Sequence, residues 1–267
     1  MNTKKTVGTI IIIALVIGLI VWKVLPHKAA QNPADEGTPT TTSIEGAVRN
    51  DKGDFEYKKD TDYMSITVIY PSKTDLSTDA DAKARLTMES WIKDMVAQFE
   101  KENGDATISA DEKDRLKSQN RKHEMDIAYQ AFKSPGYVSH VFGIFEDTGG
   151  AHPNGFDKTM TFDMKGNTIE LADLFVPSSR YLDRLSVESY KQILVEAKKR
   201  FEADLDADQI DMIRVGTEPS PEALQFFYLD DTDLVLIFPP YQVAAYVAGE
   251  FDISIPLSSL SDILKKP

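Results

Sequence analysis

The sequence predicts an α+β fold: two small α/β subdomains with mainly antiparallel sheets and long helices, behind one N-terminal transmembrane helix. Three observations carry that expectation. Strand-like and helix-like runs interleave, yet most neighbouring strands are separated by turn signals too short for a crossover helix, which favours hairpins over βαβ units. Two segments, Asp79 to Glu102 and Tyr181 to Phe201, have the length and spacing of long helices. A third, Val7 to Leu25, runs apolar for 19 residues, interrupted only by Thr9 and Lys23.

That third run comes first in the chain. Roughly 20 apolar residues cross a bilayer as a helix, whereas the apolar part of a cleavable signal is shorter and ends in small residues at the cut. Pro26-His27-Lys28 follows instead. Residues 1–25 therefore read as an uncleaved signal anchor, in preference to a cleaved leader or a buried core helix. Lys4 and Lys5 favour the cytoplasmic side and leave residues 26–267 outside. Lys23, near the other end, can snorkel. Residues 26–50 are small, polar and rich in Pro and Thr as far as Gly46, the composition of a flexible linker.

An N-terminal α/β subdomain is expected over residues 51–136. Tyr63 to Tyr70 alternates as a strand and stops at Pro71. In the helix Asp79 to Glu102, residues Leu86, Trp91, Met95, Val96 and Phe99 can form one apolar stripe, which reads as core. Asn103-Gly104 ends that helix, and Ser109 with Glu112 forms a capping box for the next. Lys101 to Glu112 also has partial calcium-loop spacing, but Lys101 occupies the first ligand position and Ala106 the position that needs glycine. A strand from His123 to Phe132 follows, closed by Ser134-Pro135-Gly136.

The C-terminal subdomain is expected over residues 137–267. It opens with a strand, Tyr137 to Phe145, whose Val138, His140, Phe142 and Ile144 share a face; His140 reads as a satisfied core histidine. Phe156 to Met164 alternates, and a turn at Lys165-Gly166-Asn167 leads to a short strand at Thr168 to Glu170. Then come a helical turn at Leu171 to Phe175, the helix Tyr181 to Phe201, and an acidic stretch, Asp204 to Asp211, that reads as a solvated loop. Phe226 to Tyr228 is expected to pair with Leu234 to Phe238, and a strand at Phe251 to Ile255 precedes a short helix, Ser258 to Leu264.

Composition narrows the chemistry. The chain has no cysteine, which excludes disulfides and thiol catalysis, and its net charge is −13. Beyond residue 25 there are 27 basic and 43 acidic residues, a net of −16, so that part should repel nucleic acid and suit a cationic partner. No nucleophile elbow, zinc-binding helix or phosphate-cradling glycine loop is present. His27, His123, His140 and His152 lack metal-ligand spacing, and no cofactor is implied.

The stretch Asp147 to Gly155, DTGGAHPNG, sits between two strands and is the most irregular in the chain. Gly149 and Gly150 point to a positive φ or a close approach by another segment. Pro153 would hold His152 extended, where its ring can bond a backbone carbonyl. Asp147 and His152 alone make a poor metal site. Pro239-Pro240-Tyr241-Gln242 is similarly irregular and is expected to lie beside this turn. Tyr241 offers an apolar face with a hydroxyl, or else helps Tyr246 close the core. The candidate binding residues are Gly149, Gly150, His152, Asn154, Pro240 and Tyr241.

Val138 to Phe175, with Gly149-Gly150-Ala151-His152 followed by Thr-Phe-Asp, Gly and Leu-Ala-Asp-Leu-Phe, resembles one signature block of an exported domain pair of unknown function. Ile237 to Leu264, with Pro240-Tyr241, Ala248-Gly249 and Ile255-Pro256, resembles the other. That pair forms the outer part of RsiV-type anti-sigma factors and precedes the catalytic domain of PdaC-type peptidoglycan deacetylases. The resemblance implies two α/β subdomains sharing one body over residues 50 to 267, and in the anti-sigma members a surface that binds lysozyme. Six residues precede the apolar run and the chain stops at Pro267, so the expectation is the module alone on a tether, without a sigma-binding segment or deacetylase domain. The functional expectation is a membrane-anchored, extracytoplasmic and non-enzymatic module. It would bind a lysozyme-like protein or peptidoglycan. The alternative is an envelope glycan hydrolase or deacetylase-like enzyme using Asp147 and His152.

Overall fold

A computed structural model describes residues 43–265. The predicted anchor, Val7 to Leu25, and the linker as far as residue 42 lie outside the described residues. Within them, no helix is long and apolar enough to cross a membrane.

Six strands lie side by side in chain order: β1 (Val48–Arg49), β2 (Phe55–Asp60), β3 (Met64–Tyr70), β4 (His123–Ser134), β5 (Tyr137–Asp147) and β6 (Asn154–Asp163). All neighbours are antiparallel except β3 and β4, which run parallel with Met64 opposite His123. A parallel pair needs a crossover, and here it is two helices, α1 (Thr78–Asn103) and α2 (Ala110–Gln119). Strict alternation in β3 buries Met64, Ile66, Val68 and Tyr70 on the face that α1 covers.

Helix α1 meets that face through Ala84, Met88, Ile92, Val96 and Phe99, at spacings of three and four residues. Trp91 tilts onto Phe142 of β5 at 5.2 Å between ring centres. Of the predicted stripe, Val96 and Phe99 are buried and Trp91 and Met95 pack against the core, whereas Leu86 is 54% exposed and Met88 and Ile92 complete the line instead. A 26-residue helix holds several overlapping apolar lines, and only the sheet decides which is buried. Helix α1 stays helical through Lys101–Asn103, so the calcium-loop spacing falls partly on helix. Half of the expected capping box forms: Ser109 accepts from the Glu112 amide, while the Glu112 carboxylate turns away to Arg115 and His123.

A second core begins after β6. It contains a 3-10 turn at Leu171–Leu174, α3 (Tyr181–Phe201), α4 (Ala207–Gly216) and a three-stranded antiparallel sheet, β7 (Phe227–Asp230), β8 (Asp233–Phe238) and β9 (Phe251–Pro256). Helix α4 replaces the loop expected at Asp204 to Asp211. Asp206 accepts from the Gln209 amide, and the Gln209 side chain accepts from the Asp206 amide. The predicted C-terminal helix shrinks to a 3-10 turn at Leu257–Leu260, and the strand at Thr168 to Glu170 to a single bridge between Phe162 and Thr168.

The division expected between residues 136 and 137 falls inside the turn of the β4–β5 hairpin, where Ser134 pairs with Tyr137. The change of core comes between Phe162 and Leu171. The folded part also starts before residue 51: Ile44 is buried and its amide donates to the Tyr70 hydroxyl at 2.9 Å.

The small sheet docks on the face of the large one opposite α1. Ser139 of β5 and Thr161 of β6, both buried, share a hydrogen bond of 2.9 Å. The Leu229 amide of β7 donates to the Ser139 hydroxyl at 3.0 Å, and the Phe227 amide donates to Thr159 Oγ1 at 3.2 Å. Edge amides of one sheet thus find acceptors on side chains of another. At the hairpin tip the Asp231 amide donates to the Lys133 carbonyl at 2.6 Å.

Candidate functional site

The β5–β6 turn is held from below by α2. Arg115 donates to the Gly149 carbonyl at 3.3 Å and to both Glu112 oxygens, and His123 Nε2 donates to Glu112 Oε1 at 2.8 Å. The Arg115 hydrogen bond, reinforced by His123, holds the Glu112 carboxyl down at about 2. Gly149 has φ +79, and a side chain there would run into the Arg115 guanidinium. The positive φ favours glycine at 149, and a side chain there would also push the Arg115 guanidinium off the turn. Gly150 is exposed, and an added Cβ would meet only ordinary contact.

Asp147 and His152 are not paired. The carboxylate of Asp147 accepts from the Gly149 amide at 2.9 Å and from Arg121. His152 is bound elsewhere. Its Nδ1 lies 2.9 Å from the Pro153 carbonyl, which can only accept, so the proton sits on Nδ1. In the neutral ring Nε2 then accepts, and its partner at 3.3 Å is the hydroxyl of Tyr241.

Tyr241 comes from the segment between β8 and β9, which is pinned on two sides. Gln242 donates to the carbonyls of Gly216 and Ala223, each at 2.8 Å. An added Cβ at Gly216 would collide with the Gln242 carbonyl, so glycine at the end of α4 lets this segment approach. Farther along, Arg200 of α3 lies 3.8 Å over the Phe251 ring and donates to the carbonyls of Ala248 and Glu250. Tyr241 itself takes φ +72, a conformation that costs a residue with a side chain on the order of 1–3 kcal/mol.

Three rings result, side by side at the surface. His152 stacks on Tyr246 at 4.3 Å with 21° between planes, and Tyr241 tilts against Tyr246 at 5.4 Å. The Tyr246 hydroxyl donates to the Pro153 carbonyl at 3.1 Å, closing the contact. Tyr241 is 56% exposed. Of the six residues expected from sequence, His152 and Tyr241 meet, Gly149 shapes the turn, and half-buried Pro240 leads into Tyr241. Asn154 opens β6 opposite Glu146, with an exposed side chain that takes no part in the cluster. Tyr246 belongs to the cluster although sequence spacing alone left it between core and surface. Arg115 and Arg121 carried no local signal.

The carboxylate that would orient His152 is bound to Arg121, and both imidazole nitrogens are occupied. Among the described residues, no group of three or more His, Cys, Asp and Glu side chains could hold a metal ion.

An α+β body of two cores is also the fold to which the comparisons lead. Residues 172–258, from the Leu171–Leu174 turn to just past β9, match the family described as a protein of unknown function, DUF3298. The chain is also homologous to the peptidoglycan-N-acetylmuramic acid deacetylase PdaC of Bacillus subtilis strain 168, with 32% identity over 172 residues. That match covers 64% of this chain and 34% of PdaC, so the chain spans about a third of that relative's length. Two crystal structures of DUF3298 proteins share the fold. One, from Bacteroides fragilis, has a TM-score of 0.53 at 16% identity and covers 80% of this chain and 92% of its own. The other, from Pseudomonas aeruginosa, has a TM-score of 0.52 at 17% identity, with coverage of 79% and 92%.

Proposed function

We propose that this chain is a membrane-anchored, extracytoplasmic module that binds peptidoglycan through the His152–Tyr241–Tyr246 cluster without turning it over. The observation that carries the reading is the exposed three-ring surface, kept in place despite the left-handed backbone at Tyr241. An aromatic face offers a flat apolar surface to the C–H side of a sugar ring, while hydroxyl and imidazole groups at its rim serve the sugar's polar groups. The homologous PdaC is named for acting on N-acetylmuramic acid of peptidoglycan, which supports the same ligand class here.

Full chain in detergent should co-sediment with purified peptidoglycan. Tyr241→Ala and His152→Ala should each weaken that binding roughly tenfold, the loss typical of an aromatic anchor, with the melting temperature little changed. A large fall in melting temperature in both variants would make the cluster scaffold and overturn the reading. Glycan cleavage or deacetylation that His152→Ala abolishes, with folding intact, would replace it by the enzyme reading. The net charge of −13 favours a second candidate, a cationic envelope protein such as lysozyme. Binding of lysozyme without binding of peptidoglycan in the same assay would select it.

The location follows from Lys4, Lys5 and the apolar run after them. A protease added to intact spheroplasts should digest residues 26–267. Protection of that region would sink both the orientation and the envelope assignment.

A further inference from the structure

A shallow groove of about 200 Å³ lies beside the segment that carries Tyr241 and Tyr246, but neither tyrosine lines it, nor does His152. Its walls are Phe201 at the end of α3, Leu205, Met212 and Ile213 of α4, and Val243 and Ala244. The surface inside is mostly apolar, and nothing in the described residues fills it. Its rim has the opposite character. Asp208 stands at the edge with no ion-pair partner among the described residues, and Glu202, Asp204, Asp206 and Asp211 follow one another along the same stretch. Lys198 and Arg214 pair with Asp204 and Asp211, and Lys199 and Arg200 with Glu196, yet residues 196–214 still hold six acidic against four basic side chains, and Asp208 is the charged residue that lines the groove itself. Part of this acidity serves the fold, since Asp206 caps α4 and Asp208 sits in its first turn. Helix capping does not explain the open apolar floor.

We infer that this groove is a docking site for a basic polypeptide segment that inserts one large apolar side chain between Phe201, Met212 and Val243 while its lysines or arginines face the acidic rim. Charge complementarity selects this occupant. A second copy of the same acidic chain would bring like charge to the rim, and an anionic lipid surface would be repelled by it. The apolar pocket in turn excludes a purely electrostatic contact, because a lysine run without an anchor would leave the floor wet. The site is independent of the peptidoglycan reading, so either can fail alone.

The probe is a short lysine-rich peptide with one central leucine, titrated against the full chain in detergent. Two control peptides replace the leucine by glycine or the lysines by glutamate. The leucine peptide should bind roughly tenfold or more tightly than the glycine peptide, the difference expected for burying one such side chain. Ala245→Trp places a bulky ring on an exposed residue at the groove and should abolish the leucine preference, and Asp208→Lys should weaken binding of both lysine peptides. Peptidoglycan binding should be unchanged by Asp208→Lys. Equal affinity for the leucine and glycine peptides, a leucine preference that survives Ala245→Trp, or no binding at low salt would each overturn the inference. Concentration-dependent self-association or vesicle binding lost in Ala245→Trp would also overturn it, by assigning the groove to a second copy or to lipid.

Discussion

Arg85→Met should lower stability by about 3–5 kcal/mol, the cost of stranding a buried charge. Arg85 lies on α1 between two acids one turn away on either side, with Nε 2.9 Å from Asp81 Oδ2 and Nη1 3.4 Å from Glu89 Oε1. The two acids differ in what would remain to them. Asp81 also accepts from the Thr74 amide and hydroxyl, at 2.5 and 2.8 Å. Burial pushes its carboxyl up, but the hydrogen bonds from Arg85 and Thr74 outweigh that and hold it below the usual range. Glu89 has no such reserve: its side chain is 1% exposed and Oε2 has no hydrogen-bond partner. The double variant Arg85→Met/Glu89→Leu should recover most of the loss, since replacing a whole buried pair by apolar groups is often close to neutral. Urea unfolding of the three proteins checks this. A cost below about 1 kcal/mol for Arg85→Met would place the pair in the range of a surface ion pair and refute it.

The second large effect is acid sensitivity centred on His140. Burial pushes its imidazole down to about 4, against a smaller upward pull from Asp75 and Asp81. Its ring is packed among Tyr129, Phe142 and Phe162, and Nδ1 has no partner. The unfolded chain protonates a histidine near pH 6.5. Between there and pH 4 the unfolded state therefore holds more protons than the folded state, and stability declines as pH falls. The full window corresponds to about 3 kcal/mol. Above pH 6.5 the contribution is constant. His140→Leu should remove this part of the slope, leaving the variant relatively more stable at pH 4.5 than at pH 7. Burial raises the carboxyls of Glu124, Asp126 and Glu146, which act in the opposite sense, but they are common to both proteins and cancel in the comparison. Identical pH dependence in the two proteins would show that His140 is not the titrating group.

Much of this architecture was legible because its elements are locally consistent. β3 alternates over seven residues and the predicted Tyr181 to Phe201 helix forms with those limits. What the sequence hid depends on partners distant in the chain. Leu86 and Met88 are equally apolar, and only the sheet beneath α1 separates them. The Asp204 to Asp211 run looked like solvated acid because its charges mask Met212 and Ile213, although Asp206 and Gln209 already had the spacing of a capping box. The candidate site was half visible. Two irregular segments could be expected to meet, since each needed support from outside an ordinary ladder. The fate of Asp147 could not, because Arg121, just past the end of α2, reaches it across 26 positions.

The amides of Phe227 and Leu229 have a further consequence for where this protein can be cut. The span that matches the DUF3298 family begins at residue 172, but Ser139 and Thr159, the acceptors for those amides, lie before it. A fragment trimmed to the matched span would carry β7 as a bare edge, its hydrogen-bonding groups open to any extended strand. Such edges recruit copies of themselves, so the excised piece would aggregate or exchange strands. The smallest autonomous unit is therefore larger than the span matched by the family, and includes the β4–β6 face on which the small sheet rests.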